Sequence, residues 1–399
     1  MVEALLVIGV VVAVFVGFNI GGSSTGVSFG PAVGSGTLSK TAAAALMSVF
    51  ALAGGWTVGR NVIDTMGGEI VPPSSFTLVA SVGVLFFVGV ALLISNTFGV
   101  PASTSMTAVG AIAGLGAATG TLNADVMLRI VGWWLVAPVV AFWICAVVGR
   151  YLYPYLDAVF AIDRSAGGVV AFDGLRPRIA PDASGREVVG AVAVLVIACY
   201  MAFSAGASNV ANAVAPLVGN GSVTAGQGVL LASAAIAVGA FTIARRTLDT
   251  VGNDLTDLPL LAALVVEVVA ASLITFLSAI GIPASLAVSA TMSIVGLGWG
   301  RATRTTTLGG AVSDAVGGTV GGDGEQAGAQ RPEVSVDALA ADRPDAADGV
   351  PRMGEEHGDE LLADDLFDPG TTGRVVSFWI LTPTISFVCS YALFAVVPP

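Results

Sequence analysis

The strongest constraint on this chain is a series of apolar runs, each about 20 residues long, which is the length a helix needs to cross a bilayer. Eight of them lie at 2–20, 40–59, 75–96, 129–149, 186–205, 225–244, 258–280 and 374–397. Water is absent from the hydrocarbon, so a spanning backbone must satisfy its own hydrogen bonds, as a helix or a closed barrel does. Runs of this length without two-residue alternation specify helices. The composition agrees: 55% of the 399 residues are hydrophobic and 11% charged, which excludes an ordinary soluble enzyme. The first run carries Glu3 and no basic leader, so it reads as a retained membrane helix rather than a cleaved signal.

Four further segments, 21–36, 99–118, 206–221 and 281–299, are apolar but interrupted by Gly, Ser, Asn and Pro, and they predict broken or re-entrant helices. Irregular backbone at membrane depth is tolerated only where protein buries it or it lines a cavity. Function is therefore expected there.

Charge is confined elsewhere. The net charge of −12 argues against a nucleic-acid partner, which needs a basic surface. Between Asp323 and Asp368 fourteen acidic residues face three arginines, within a Gly/Asp/Ala/Pro-rich stretch too poor in apolar residues to fold alone. The single His357 lies in that stretch, and Cys145, Cys199 and Cys389 stand singly in apolar runs. No disulfide framework, metal cluster or nucleophile–base pair can be assembled from this inventory, so neither an enzyme nor a bound cofactor is expected.

Self-comparison shows that the chain is written twice. Gly21 to Gly36 aligns without gaps on Gly206 to Gly221, and at the same offset of 185 Arg60-Asn-Val-Ile-Asp64-Thr-Met-Gly67 lies on Arg245-Arg-Thr-Leu-Asp249-Thr-Val-Gly252. Pro101-Ala-Ser103 matches Pro283-Ala-Ser285 at offset 182, and Arg129-Ile-Val-Gly-Trp-Trp134 matches Arg374-Val-Val-Ser-Phe-Trp379 at offset 245. The jump between the last two offsets is the acidic insertion. The domain reading is a first membrane repeat at 1–150, a connection at 151–185, and a second repeat at 186–399 interrupted by the insertion at about 303–372.

If 21–36 and 206–221 return to the side they entered while 99–118 and 281–299 cross, each half makes five crossings, and an odd number inverts the second half. With the N-terminus outside, Lys40 and thirteen arginines fall inside, against only Arg60 and Arg129 outside. The positive-inside rule asks for that asymmetry. The fold class is thus an all-α polytopic membrane protein of two inverted-topology repeats with interrupted or re-entrant helices. This architecture is that of secondary transporters, whose substrate site lies near the midplane between repeats.

The interrupted segments supply the candidate substrate-binding residues: Ser23, Ser24, Ser103, Thr104, Ser105, Ser208, Asn209, Asn212 and Ser285. Half-helices starting there would aim unpaired N–H groups and a positive dipole end at one centre, which suits an anion. No Arg or Lys lies within these motifs, so the ligand must be held by neutral donors, as a small oxyanion can be. Glu267, halfway along 258–280, is a carboxylate at membrane depth and the leading candidate for a coupling cation or proton. Asp64 and Asp249, present in both copies, are weaker candidates that lie at helix ends.

At this point the residues resemble a family. Gly206-Ala-Ser-Asn-Val-Ala-Asn-Ala213, followed by Gly219-Asn-Gly221, is similar to the duplicated Gly-x-Asn-Asp-x-Ala-Asn-Ala signature of the inorganic phosphate transporter family. Gly21 to Gly36 is a degraded first copy, Pro101-Ala-Ser-Thr-Ser105 resembles that family's Pro-Val-Ser-Thr-Thr-His motif, and Asp249-Thr-Val-Gly252 its Thr-Val-Gly loop. The resemblance implies a cation-coupled importer of inorganic phosphate, with sodium or a proton as the coupling ion, in the plasma membrane. Departures are specific. Ser23-Ser24 and Ser208-Asn209 stand where the family has Asn-Asp, Val27 stands where it has the later Asn, and Met106 replaces the motif histidine. Both signature aspartates are absent. Sulfate, an acceptor-only ion, is the alternative substrate, and an uncoupled anion channel or anion sensor the alternative class. The implied partners are an inorganic oxyanion and the bilayer; a homo-oligomer is left open.

The Arg distribution predicts that both termini face outside and that 150–186 and 300–373 face the cytoplasm. Single cysteines placed at Ala180 or Ser335 should react with an impermeant reagent only after cells are permeabilised; labelling of either in intact cells would reverse the orientation.

Overall fold

The computed structural model describes residues 2–97, 103–160, 170–173, 176–179, 185–244, 248, 260–305 and 369–397. They are almost entirely helical. In order these are α1 (Val2–Gly34), α2 (Lys40–Trp56), α3 (Gly59–Asp64, continued by a π-helical turn over Thr65–Glu69), α4 (Leu78–Thr97), α5 (Thr104–Thr119), α6 (Ala124–Val147), α7 (Tyr153–Phe160), α8 (Gly185–Gly219), α9 (Ala225–Thr242), α10 (Leu260–Ala279), α11 (Leu286–Ala302) and α12 (Pro369–Val396). A short antiparallel hairpin, β1 (Val170–Asp173) and β2 (Arg176–Ile179), lies in the connection between the halves. Among the described residues seven helices are long and apolar enough to cross a membrane, or eight if α2 and α3, bent by 62°, form one span.

Two of the four expected interruptions are absent. Segments 21–36 and 206–221 continue the preceding runs as the C-terminal halves of α1 and α8, unbroken helices of 33 and 35 residues. The physical reason is that Gly and Ser act here as contact surface, not as breakers. Ser23 Oγ donates to the carbonyls of Asn19 and Ile20, and Thr25 Oγ1 to that of Gly21, so these hydroxyls are satisfied inside the helix. Gly21 packs so tightly on the carbonyl of Ile236 that no Cβ would fit. The other two interruptions are present: α5 and α11 each start after an extended serine, Ser103 or Ser285, whose Oγ accepts from Met106 N or Val288 N at 3.3 Å. These are helix N-caps, satisfying one of the orphan donors of the first turn.

The duplication reappears as reciprocal contacts. Gly21 meets the Ile236 carbonyl while its counterpart Gly206 meets that of Ala51, the counterpart of Ile236. Gly54 likewise meets the Phe203 carbonyl and Gly239 that of Phe18, and Gly114 meets Phe387 where Gly296 meets Phe142. Left-handed glycines end the two long helices at equivalent places, Gly36 (φ 72°) and Gly221 (φ 73°). Equivalent residues even touch: Asn209 Nδ2 donates to Ser24 Oγ at 3.5 Å, although they are 185 residues apart. Helices α1 and α8 run antiparallel through this point, since Gly9 packs near Leu217.

The two capped helices meet the middle of α8 and leave toward its opposite ends. The C-terminus of α5 lies beside Ile70 and Ser75, next to the end of α8 where Gly67 packs on Gly219. The other, α11, doubles back along α10, bringing Leu297 to Leu261 and Val266, and ends where Arg304 Nη1 donates to the Arg150 carbonyl at 2.7 Å. The core between the halves is apolar, with Ile20, Phe29, Met47, Ile63, Leu85, Ile112 and Met201 fully buried.

Gly54→Leu and its counterpart Gly239→Leu should each cost about 3 kcal/mol or more, because the side chain meets backbone that cannot yield. Gly132→Ala, with nothing within 4 Å of the added carbon, should be neutral or stabilising. Thermal unfolding of the purified protein in detergent checks all three; comparable midpoints would mean that the helix crossings are not set by these contacts.

Candidate functional site

The sequence-predicted polar residues converge where α1, α5, α8 and α11 meet. A half-open cavity, with about 410 Å³ of empty space when its open mouth is included, is lined by Ser23, Ser24, Val27, Thr104, Asn209, Ser285, Leu286 and Ala287.

On the α8 side the amides are locked to α5. Thr104 Oγ1 donates to Asn209 Oδ1 at 2.5 Å, and Asn212 Nδ2 donates to the same oxygen and to Ser105 Oγ, each at 3.1 Å. Ser105 Oγ and Ser208 Oγ lie 3.2 Å apart, and Ser208 Oγ donates to the Ala284 carbonyl at 2.7 Å. Asn209 therefore holds a fixed orientation, its oxygen saturated and its amide hydrogens directed toward Ser24 and the cavity. On the opposite side Leu286 and Ala287 begin α11. Their backbone N–H groups belong to the first helical turn, which has no intrahelical acceptors, and Ser285 Oγ caps Val288 instead. The lining is thus neutral, rich in hydroxyl and amide groups, with the N-termini of α5 and α11 at its wall and no charged side chain.

Of the residues read from sequence, Ser23, Ser24, Thr104, Asn209 and Ser285 line the cavity, and Ser103, Ser105, Ser208 and Asn212 stand behind it as caps and braces. Asn212 is buried, its Nδ2 spent on protein partners and its Oδ1 without one, so it orients Asn209 rather than lining the cavity. Since α1 and α8 are continuous, the N-terminal dipoles expected at 21–36 and 206–221 are not there; only α5 and α11 bring one. Glu267 lies apart from the cavity on α10, buried, with neither carboxylate oxygen hydrogen-bonded. Asp64 is exposed on α3, and Asp249 falls outside the described residues.

Sequence reasoning missed two supports of the turn leading into α11. Trp134 Nε1 donates to the Pro283 carbonyl at 2.8 Å, and Asn61 Nδ2 to that of Ala279 at 2.8 Å. Both sit in duplicated motifs, Trp133-Trp134 and Arg60-Asn61, which was the available signal.

Comparison with known proteins places this arrangement. The profile of the phosphate transporter family matches residues 20–321. The sulfate permease CysP of Bacillus subtilis is 32% identical over 290 residues, covering 72% of this chain and 76% of that protein. A putative phosphate permease of Haemophilus influenzae is 26% identical over 360 residues, covering 72% and 86%. Among solved structures, one titled the sodium-dependent phosphate transporter superposes with a TM-score of 0.69 over 99% of each chain at 18% identity, a likeness of fold. With most of its length matched to the family profile, the chain belongs to the phosphate transporter family.

Proposed function

We propose that the protein is a secondary transporter of inorganic phosphate, built from two inverted repeats, 1–150 and 186–399, in the plasma membrane. One observation carries this reading. A half-open cavity between the repeats is lined by neutral donors and the first turn of α11, with no cationic clamp and no aromatic wall. Such a lining can release an oxyanion as readily as it binds one, which carriage requires and tight storage does not. The antiparallel run of α1 and α8 and the touching equivalents Ser24 and Asn209 support a pseudo-two-fold axis in the membrane plane, the relation that alternating access needs. The arginines at the end of α11 support a cytoplasmic side there.

The two seams of the cavity differ. Hydrogen bonds from Thr104, Ser105 and Asn212 close the seam between α5 and α8. At the equivalent place between α11 and α1 the matching positions are Leu286, Ala287 and Val27, which line the cavity and carry no side-chain donor or acceptor. We infer that the α11 seam opens toward the cytoplasm and releases the anion, while the α5 seam is held shut until the amide network breaks.

Sulfate is the second reading, and a specific observation favours it. Phosphate at neutral pH brings a proton that wants an acceptor, whereas sulfate only accepts. The one amide oxygen at the cavity is already taken by Thr104 and Asn212, and no carboxylate lines the wall. The likeness to a sulfate permease agrees.

Uptake of labelled phosphate and labelled sulfate in parallel into proteoliposomes tests the substrate. Phosphate should be accumulated and should show trans-acceleration; saturable sulfate uptake that phosphate does not inhibit would replace phosphate with sulfate, and flux without trans-acceleration would mean a channel. Asn209→Leu should weaken apparent affinity by about tenfold to a hundredfold, the loss of a hydrogen bond to a charged partner worth about 1.5–3 kcal/mol. Asn212→Leu should act through Asn209 with a smaller effect, and Val27→Ala should change affinity by less than about threefold, as expected for loss of one apolar contact. Equal effects at residues 27 and 209, read from competition by unlabelled substrate, would show that the anion is not held by α8.

A further inference from the structure

Glu267 is the one carboxylate in the middle of a described membrane helix, and nothing in the cavity chemistry above uses it. It sits on the α10 face that also carries Ala263, Ala270, Ala271 and Ile274, all buried. Both its oxygens are shielded from solvent and neither has a hydrogen-bond partner. We propose that Glu267 is the binding site of a coupling proton, taken up and released once per transport cycle; this rests on the transporter reading and names its coupling ion.

The surroundings select a proton over a metal cation. A hard cation needs several oxygen ligands around it, and here the helix face that carries the carboxylate otherwise presents Ala263, Ala270, Ala271 and Ile274, with no hydrogen-bonding group on either carboxylate oxygen. A proton needs only the carboxylate itself. An ionised carboxylate without a donor or a cation is not tolerated at this depth, so this arrangement of α10 admits the neutral acid alone.

The titratable side chains on the elements packed against α10 are engaged or placed elsewhere. From α11, Arg301 lies over the Tyr153 ring at 4.6 Å. From α6, Arg129 pairs with Glu69 at 2.8 Å, Asp125 is exposed and Cys145 is buried beside Leu297. From α3, Arg60 lies over Trp56 at 4.3 Å and Asp64 is exposed. From α8, the Tyr200 hydroxyl donates to Ser272 Oγ at 3.3 Å, Cys199 is a buried thiol, and Arg186 and Glu187 stand in the first turn. Glu3, from α1, is exposed. Among the described residues none makes an ion pair with Glu267.

A short path links the carboxylate to the anion cavity. One turn beyond Glu267, the Ala271 carbonyl accepts from Ser204 Oγ at 3.0 Å. One turn beyond Ser204, Ser208 Oγ donates to the Ala284 carbonyl, next to the Ser285 cap. The same hairpin, turned at Gly281 (φ 74°), thus carries the proton site on α10 and the anion-facing N-terminus on α11. Movement of the hairpin that opens the anion cavity also changes what surrounds Glu267. With the carboxylate neutral the hairpin stays in the apolar setting; release of the proton favours the arrangement in which the carboxylate meets water.

The test uses sodium-free proteoliposomes holding the full chain, with labelled phosphate and labelled sulfate assayed separately. An inward proton gradient of two pH units should raise accumulation at least fivefold over counterflow at equal pH. In Glu267→Gln that ratio should fall to about one, and Glu267→Asp should restore part of it. A ratio in Glu267→Gln equal to that of the unaltered protein overturns the proposal. So does accumulation by the unaltered protein that follows a sodium gradient and ignores the proton gradient. If Glu267→Gln does not fold, or if no counterflow is seen at all and the transporter reading fails, infrared spectroscopy of the purified chain decides. The unaltered protein at neutral pH should show the carbonyl band of a protonated, non-hydrogen-bonded carboxyl, and that band should shift in Glu267→Asp; absence of the band from the unaltered protein overturns the site.

Discussion

Direct contact between backbones, made where a glycine leaves out its side chain, is the interaction on which the arrangement depends. In lipid the hydrophobic effect does not draw helices together, so close packing and polar contacts must. Here the glycine contacts come in reciprocal pairs: Gly21 with Ile236 and Gly206 with Ala51, Gly54 with Phe203 and Gly239 with Phe18. Each brings a helix of one half against a helix of the other at van der Waals distance from its carbonyls. The crossing of α1 and α8 that results puts Ser24 against Asn209, and the cavity forms around that point. Moving either helix outward by one methyl group would separate the two amide and hydroxyl clusters that define the site.

The chemistry of the cavity follows from what the crossing leaves unpaired. Hydroxyls on α1 and the caps of α5 and α11 are local solutions to local problems, since each satisfies a backbone group of its own helix. What remains for a ligand is the Asn209 amide, the Ser24 hydroxyl and the first N–H groups of α11. An anion bound there would be held by dipoles alone. Such binding depends on the orientation of each donor, which explains why Thr104 at the cavity wall and Asn212 behind it are both committed to fixing Asn209.

The duplication, the capped starts of α5 and α11, and the convergence of the Ser and Asn residues were legible in the sequence, because each is written as a residue type at a fixed offset. Ser103 and Ser285, for instance, stand before helical runs in both copies and cap them both. The continuity of α1 and α8 was not legible. Gly, Ser and Pro clusters signal a break where water can take the freed backbone groups, but inside a bundle the helix must keep its hydrogen bonds, and the same residues serve as packing surface. Nor could sequence tell that the Asn212 amide turns away from the cavity, since that is decided by Ser105 on a helix 107 residues away. The roles of Trp134 and Asn61 were hidden likewise, their acceptors being carbonyls of a turn that only the folded hairpin creates.

The two halves have diverged in opposite senses, and the divergence bears on mechanism more than on fold. At backbone-contact positions the copies have kept Gly and small residues, so the pseudo-symmetric frame is intact. At the cavity they have exchanged properties: Thr104 and Ser105 are matched by Leu286 and Ala287, and Asn212 by Val27. A symmetric pair of seams would open with equal ease on either side. The seam latched by Thr104, Ser105 and Asn212 is the costlier to part, because breaking it leaves buried donors and acceptors unpaired, whereas Leu286, Ala287 and Val27 have no side-chain hydrogen bonds to lose. On the transport cycle proposed above, the internal repeat therefore offers two gates, and the residues at these six positions make one of them the harder to open.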